Sequence, residues 1–151
     1  MKIKRIFVIF KTHLDIGFTD FSANIINNYK KKYIPASIST SAEMRKRYSD
    51  DTRFIWTTGS WLVWDALRTY DEHEKEQLEN AIRCGDISWH GLPFTTHTEL
   101  MDEGLFRYGL SLSQELDKRF GKHTIAAKMT DVPGHTKSFI APLAEAGIKF
   151  L

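Results

Sequence analysis

Apolar and polar positions follow two alternating rhythms along the chain. Residues 3–10 are an apolar, β-branched run that predicts a first, buried strand. Residues 21–33 predict a helix with Ile25, Ile26 and Tyr29 on one face. Pro35 is expected to break it, and residues 36–48 to form a second helix. A short strand is expected at 53–57, after which Ser60 can cap a helix bearing Trp61, Trp64 and Leu67. Residues 72–84 read as a helix with Leu78, Ala81 and Ile82 inward and Gly85 as its stop. A third strand at 87–89 leads into an irregular stretch at 91–103, then a helix at 103–120 ended by Gly121. A fourth strand at 125–129, a turn at 131–136 and a helix at 138–146 ended by Gly147 follow. Residues 148–151 open a fifth strand.

Strands alternating with helices predict an α/β fold with a parallel sheet built from crossover units. No repeat or linker interrupts the pattern, and the fifth strand begins where the chain stops. The expectation is therefore a single, incomplete domain over residues 1–151.

Composition narrows the possibilities. At 42% hydrophobic and 26% charged residues, the chain has ordinary globular make-up. A net charge of +2 is too small to suggest nucleic acid as a partner. Lys30, Lys31 and Lys32, and Arg45, Lys46 and Arg47, read as solvated helix faces, with a phosphate patch as the alternative. The single cysteine, Cys84, excludes an internal disulfide, fits a reducing, cytoplasmic setting and reads as a buried structural thiol. The N-terminal apolar run is interrupted by Lys11 and His13, unlike a signal peptide, and no stretch is long enough to span a membrane.

Ligands of parallel α/β folds bind at the carboxyl ends of the strands. His13 and Asp15 stand there after the first strand, Thr57 and Thr58 after the second, and His90, His97 and Glu99 after the third. Asp131, with His135 four residues on, follows the fourth. In extended chain His13 and Asp15 point to the same side, and Gly17 allows a sharp turn after them. An imidazole beside a carboxylate suits zinc. Standing alone, the pair reads first as a hydrogen bond at a strand end; Asp131 arriving at the same end of a nearby strand favours metal. Asp131 opens a turn shaped by Pro133 and Gly134. It is either a cap for the helix that follows or a carboxylate that ligates metal, attacks substrate, or both, with His135 orienting it. Phe18 can floor a sugar ring. Trp56, Trp61, Trp64 and Trp89 read as core, and His90, His97 and His123 as surface residues or as residues backing a site.

The order His13-Leu14-Asp15-Ile16-Gly17-Phe18, then Phe54-Ile55-Trp56, then Asp131-Val132-Pro133-Gly134-His135-Thr136 resembles the glycoside hydrolase family 38 catalytic domain, the class II α-mannosidase type. The likeness runs from Ile6 to Leu151. Leu14 and Ile16 stand where that family usually carries Asn and Pro, and Phe18 where its Trp stacks on the sugar. The resemblance implies a seven-stranded parallel β/α barrel, of which this would be the first part. It implies zinc ligands at His13, Asp15 and Asp131, with Asp131 also the nucleophile of a retaining glycosidase acting on an α-linked carbohydrate. It places the fourth ligand and the acid/base carboxylate beyond Leu151, so the chain alone is expected to be inactive. Two other readings stand beside it. One is a metal-dependent deacetylase or amidohydrolase with Asp131 as base; the other is a non-catalytic carbohydrate-binding remnant.

Overall fold

The computed structural model describes the chain apart from Met1, Lys2, Arg5, Phe7 and residues 49–52. Among the described residues three strands pair in parallel: β1 (Phe10–Lys11), β2 (Trp56–Gly59) and β3 (Ile87–His90), side by side in that order. Phe10 lies opposite Trp56, Trp56 opposite Ile87, and Gly59 opposite His90. Beyond β3 the parallel order continues through single contacts. Gly91 N–H donates to the Ala126 carbonyl, and Ala126 forms a lone bridge with Phe150.

Two sequence expectations match their elements end to end. Helix α4 (Glu72–Cys84) starts at a capping box between Asp71 and Glu74 and ends on Gly85 with φ of 78°. Helix α5 (Glu103–Phe120) is capped by Asp102 and ends on Gly121 with φ of 64°. Helix α3 (Ser60–Thr69) starts as expected, but Gly59 is its cap and the Ser60 hydroxyl donates to the Leu92 carbonyl. Its inward face is Leu62, Val63, Ala66 and Leu67, while Trp61 and Trp64 sit half-buried at the flank.

Elsewhere the pattern misled. Among the described residues of the run 3–10 the expected buried strand is not found: Ile3, Ile6, Val8 and Ile9 are exposed and pairing begins at Phe10, while Arg5 and Phe7 lie outside the described residues. Among the described residues no strand pairs on the outer side of β1, so the exposed side chains before it have little to bury against. Pro35 does not break the helix. Helix α1 (Ser22–Asn28) passes through a π-helical turn, Tyr29–Tyr33, straight into α2 (Ile34–Arg47), with Pro35 in its first turn. A proline is tolerated there because the wide turn has already redirected the hydrogen bonds. The strand expected at 53–57 sits later, at 56–59. The fourth and fifth strands reduce to the Ala126–Phe150 bridge, and the last helix, α6, covers only Ile140–Glu145 after a short 3-10 turn. Cys84 is exposed rather than buried. The basic runs are tied down: Lys30 pairs with Asp65, Lys31 with Glu74 at 2.6 Å, and Arg45 with the buried Asp86.

Two apolar clusters hold the molecule. The larger joins β2 and β3 to α3 and α4 through Leu62, Val63, Leu78, Ile82, Ile87 and Trp89. The smaller gathers Leu92, Phe106, Leu110, Phe139, Leu143 and Ile148 around α5 and α6. No helix among the described residues is long and apolar enough to cross a membrane.

Candidate metal centre

The chain leaves β1 in extended form, with Thr12 N–H donating to the Thr57 carbonyl at 2.9 Å. Side chains then alternate. Leu14 is buried in the larger core, and His13 and Asp15 turn to the other side, both half-buried. His13 Nε2 lies 3.0 Å from Asp15 Oδ2 and 3.7 Å from Asp131 Oδ2. One ligand atom from each of His13, Asp15 and Asp131 falls within 4.8 Å of the others. Tetrahedral zinc with bonds of about 2.0–2.2 Å separates its ligand atoms by roughly 3.3 Å, so small side-chain movements close the set. The donors, one nitrogen and two carboxylate oxygens, are chemically suitable. Two acceptor atoms at 3.0 Å need a proton or a cation between them, and the His13–Asp15 contact supplies that position.

The rear of the His13 ring is held as well. Its Nδ1 faces Thr130 Oγ1 at 3.2 Å and Thr95 Oγ1 at 3.4 Å. Either hydroxyl can accept from Nδ1–H, which leaves Nε2 to ligate. Thr95 arrives by a crossing loop. After β3 the backbone passes over Gly59, where a Cβ would meet the Pro93 carbonyl oxygen at 2.1 Å, and Thr95 N–H then donates to the Leu14 carbonyl at 3.3 Å.

Asp131 is the one non-glycine residue with positive φ among those described, at 62°. Aspartate tolerates the left-handed region better than most residues, yet the conformation is costly and such strain concentrates at functional positions. Its side chain is 83% exposed. Behind it, the Lys128 ammonium donates to Thr130 Oγ1. Partial burial pulls that ammonium below its ordinary range, while the Asp131 carboxylate opposes the shift. Burial raises the Tyr29 phenol, with Tyr33 and the Asp15 carboxylate adding to it, and the Tyr29 hydroxyl donates to the His13 carbonyl at 3.4 Å.

The other residues singled out from sequence lie apart from this trio. His135 is exposed, its ring lies 5.3 Å from that of Phe139 at a tilt of 43°, and its Nδ1 sits 3.4 Å from Thr98 Oγ1. Phe18 is 85% exposed. His97 pairs with Glu99 at 3.4 Å on the surface. His90 is buried, accepts from Leu92 N–H at Nδ1, and burial lowers its pKa to about 4. Sequence reasoning passed over Thr95, Thr98, Thr130 and Tyr29. The only available signal was the density of threonines in the loops after the third and fourth predicted strands. Comparison of the chain with protein-family models, with curated proteins and with solved structures found no match.

Proposed function

We propose that His13, Asp15 and Asp131 are three ligands of a zinc centre in a retaining glycosidase acting on α-linked sugars, of the α-mannosidase type. The observation that carries this reading is the convergence of the three ligand atoms within 4.8 Å, His13 and Asp15 just past the end of β1 and Asp131 past the Ala126 bridge. The parallel order β1 to β2 to β3, with single contacts continuing to Ala126 and Phe150, is compatible with the first part of a seven-stranded barrel.

Zinc bound there would grip neighbouring sugar hydroxyls and orient the ring. The Asp131 carboxylate attacks the anomeric carbon, the bond to the leaving oxygen breaks, and that oxygen takes a proton from an acid carboxylate. Water, giving its proton back to that acid carboxylate, then attacks the anomeric carbon on the face the leaving group vacated and displaces Asp131, so configuration is retained. The open, 83% exposed side chain leaves one oxygen of Asp131 for substrate while the other faces His13. On this reading the acid/base carboxylate and a fourth ligand, a histidine, lie outside these 151 residues. His135 backs the Asp131 turn through Thr98, and Phe18 stands ready for a sugar face.

The test is a zinc titration against a chromophoric chelator. The chain should take up one equivalent, and His13→Ala and Asp131→Ala should each abolish it. In a form extended past Leu151, an activated 2-fluoro glycoside should label Asp131, seen by peptide mass spectrometry. No zinc uptake removes the centre; a label on another carboxylate removes Asp131 as nucleophile.

A further inference from the structure

Two thioethers close the seam behind the His13 ring. Thr96 N–H donates to Met129 Sδ at 3.4 Å, and the Thr96 hydroxyl donates to Met101 Sδ at 3.1 Å. We propose that Met101 and Met129 form a peroxide-sensitive switch, which loosens the metal centre through Thr96 when these sulfurs are oxidised. The effect on metal rests on the zinc reading of His13, Asp15 and Asp131; the opening of the seam does not.

The position of Thr96 carries the inference. Thr95, its neighbour, places a hydroxyl 3.4 Å from His13 Nδ1. Thr130, the neighbour of Met129, places another at 3.2 Å and leads into Asp131. The Thr96–Met129 bond therefore ties together the two segments that hold one ring nitrogen. Met101 follows the 3-10 turn Thr98–Leu100 and brings a third segment to the same residue. Methionine often serves only as an apolar gap filler. Here both sulfurs are also acceptors for a single residue, and sulfur is a weak acceptor, so the tie is easily broken.

Both side chains are half-buried against the smaller apolar cluster, which includes Leu92, Phe106 and Phe139. Met101 also lines a cleft of about 490 Å³ beside Trp61, Phe94 and Tyr108, ample for hydrogen peroxide. In the reaction the thioether sulfur attacks one peroxide oxygen. The O–O bond breaks, an S=O bond forms, sulfur gives up two electrons, and the other oxygen leaves as water with both protons. The product is methionine sulfoxide, which is polar and is reversed by reductases. Its oxygen is costly to hold unpartnered against the apolar cluster. Turning that oxygen to solvent carries the sulfur away from Thr96, and the seam opens. Thr95 and Thr130 then no longer fix the His13 ring.

The test treats the chain with hydrogen peroxide and follows sulfoxide at both positions by peptide mass spectrometry. Chelator competition then measures zinc affinity, and amide exchange by NMR reads the Thr96 N–H. Zinc affinity should fall about tenfold, as when groups behind metal ligands are lost. Exchange at Thr96 should quicken about tenfold as the seam opens locally. Methionine sulfoxide reductase should reverse both changes. Met101→Leu combined with Met129→Leu keeps side-chain volume, so it should bind zinc within about twofold of the parent and then ignore peroxide. Met1, Met44 and Cys84 remain in that variant, so damage there is common to both proteins. An equal loss of affinity in variant and parent would overturn the switch, as would sulfoxide at both sulfurs with Thr96 exchange unchanged. Sulfurs that resist peroxide in the folded chain would overturn it too. Quickened exchange with unchanged zinc affinity would overturn the link to the centre. No zinc uptake before oxidation would overturn the zinc reading instead, and exchange at Thr96 would still decide the seam.

Discussion

The buried hydroxyl of Thr98 accepts the Thr136 backbone N–H at 3.3 Å and can donate its own proton to His135 Nδ1, 3.4 Å away. One side chain from the loop after β3 thus clasps the turn that presents Asp131. Thr98→Val keeps the shape but cannot accept the bond. We expect zinc affinity to fall about tenfold, the low end of what groups behind metal ligands contribute. Stability should fall by about 1–2 kcal/mol from the stranded amide. Thr98→Ser should restore most of both. Chelator competition and urea unfolding on the two variants decide the matter; equal zinc affinity in Thr98→Val and the parent would show that the clasp does not position Asp131.

Gly59 carries the crossing loop. A methyl group there would lie 2.1 Å from the Pro93 carbonyl oxygen and 2.8 Å from its carbon, both backbone atoms that cannot rotate aside. The same loop is pinned by Ser60 N–H to the Leu92 carbonyl and Trp61 N–H to the Pro93 carbonyl. Gly59→Ala should therefore cost roughly 2–3 kcal/mol, at the upper end for overpacking. It should also weaken zinc binding, because Thr95 is drawn away from His13 Nδ1. An unchanged urea midpoint would contradict the crossing geometry.

How much of this was legible beforehand depends on how local the signal is. Helices α4 and α5 are written in adjacent residues: the Asp71–Glu74 capping box, Asp102, and the left-handed Gly85 and Gly121. The strand-end rule picks out His13, Asp15 and Asp131, whose ligand atoms lie within 4.8 Å of one another, but equally His90, His97, Glu99 and His135, which lie apart from them. Failures came where the outcome depends on distant partners. Ile6, Val8 and Ile9 look buried by pattern, yet a strand is buried only if neighbours cover it. Pro35 looks like a break because periodicity has no symbol for the π turn before it. Thr95 reaches the His13 ring only because the loop passes over Gly59, and Thr130 reaches it from the segment that leads to Asp131, contacts between residues far apart in sequence. Positive φ was foreseeable for Gly85 but not for Asp131, since Pro133 and Gly134 draw the eye to the wrong part of the turn.

Burial of His90 makes stability depend on pH. Its pKa falls to about 4 from an ordinary 6.5 because desolvation penalises the cation. The unfolded chain therefore binds a proton that the folded chain refuses between these values. The contribution of His90 is complete above about pH 6.5 and is lost as pH falls toward 4, up to about 3 kcal/mol. His90→Asn keeps an acceptor for Leu92 N–H and removes the titration. Urea unfolding from pH 7.5 to 4.5 should then show a shallower loss in the variant. Parallel curves for variant and parent would show that His90 titrates normally.

Asp131 combines a left-handed backbone with the carboxylate that the centre needs, and substitutions separate the two. At φ of 62° a residue with a Cβ carries a cost of roughly 1–2 kcal/mol that aspartate and asparagine partly relieve and glycine avoids. The side chain is 83% exposed, so removing it forfeits little packing. Asp131→Asn should leave metal-free stability near the parent's. Asp131→Ala should lower it by about 1 kcal/mol, and Asp131→Gly should raise it by about 0.5 kcal/mol or more. Zinc should reverse the ranking. At a hundredfold excess over its dissociation constant it adds about 2.7 kcal/mol to the parent. It should add almost nothing to any of the three variants, because each lacks one of three ligands. Thermal or urea unfolding of the four proteins, with and without zinc, measures both effects in one experiment. Zinc stabilisation that survives Asp131→Gly would remove Asp131 from the ligand set. A glycine variant less stable than the alanine variant would show that the left-handed turn is not what holds this residue.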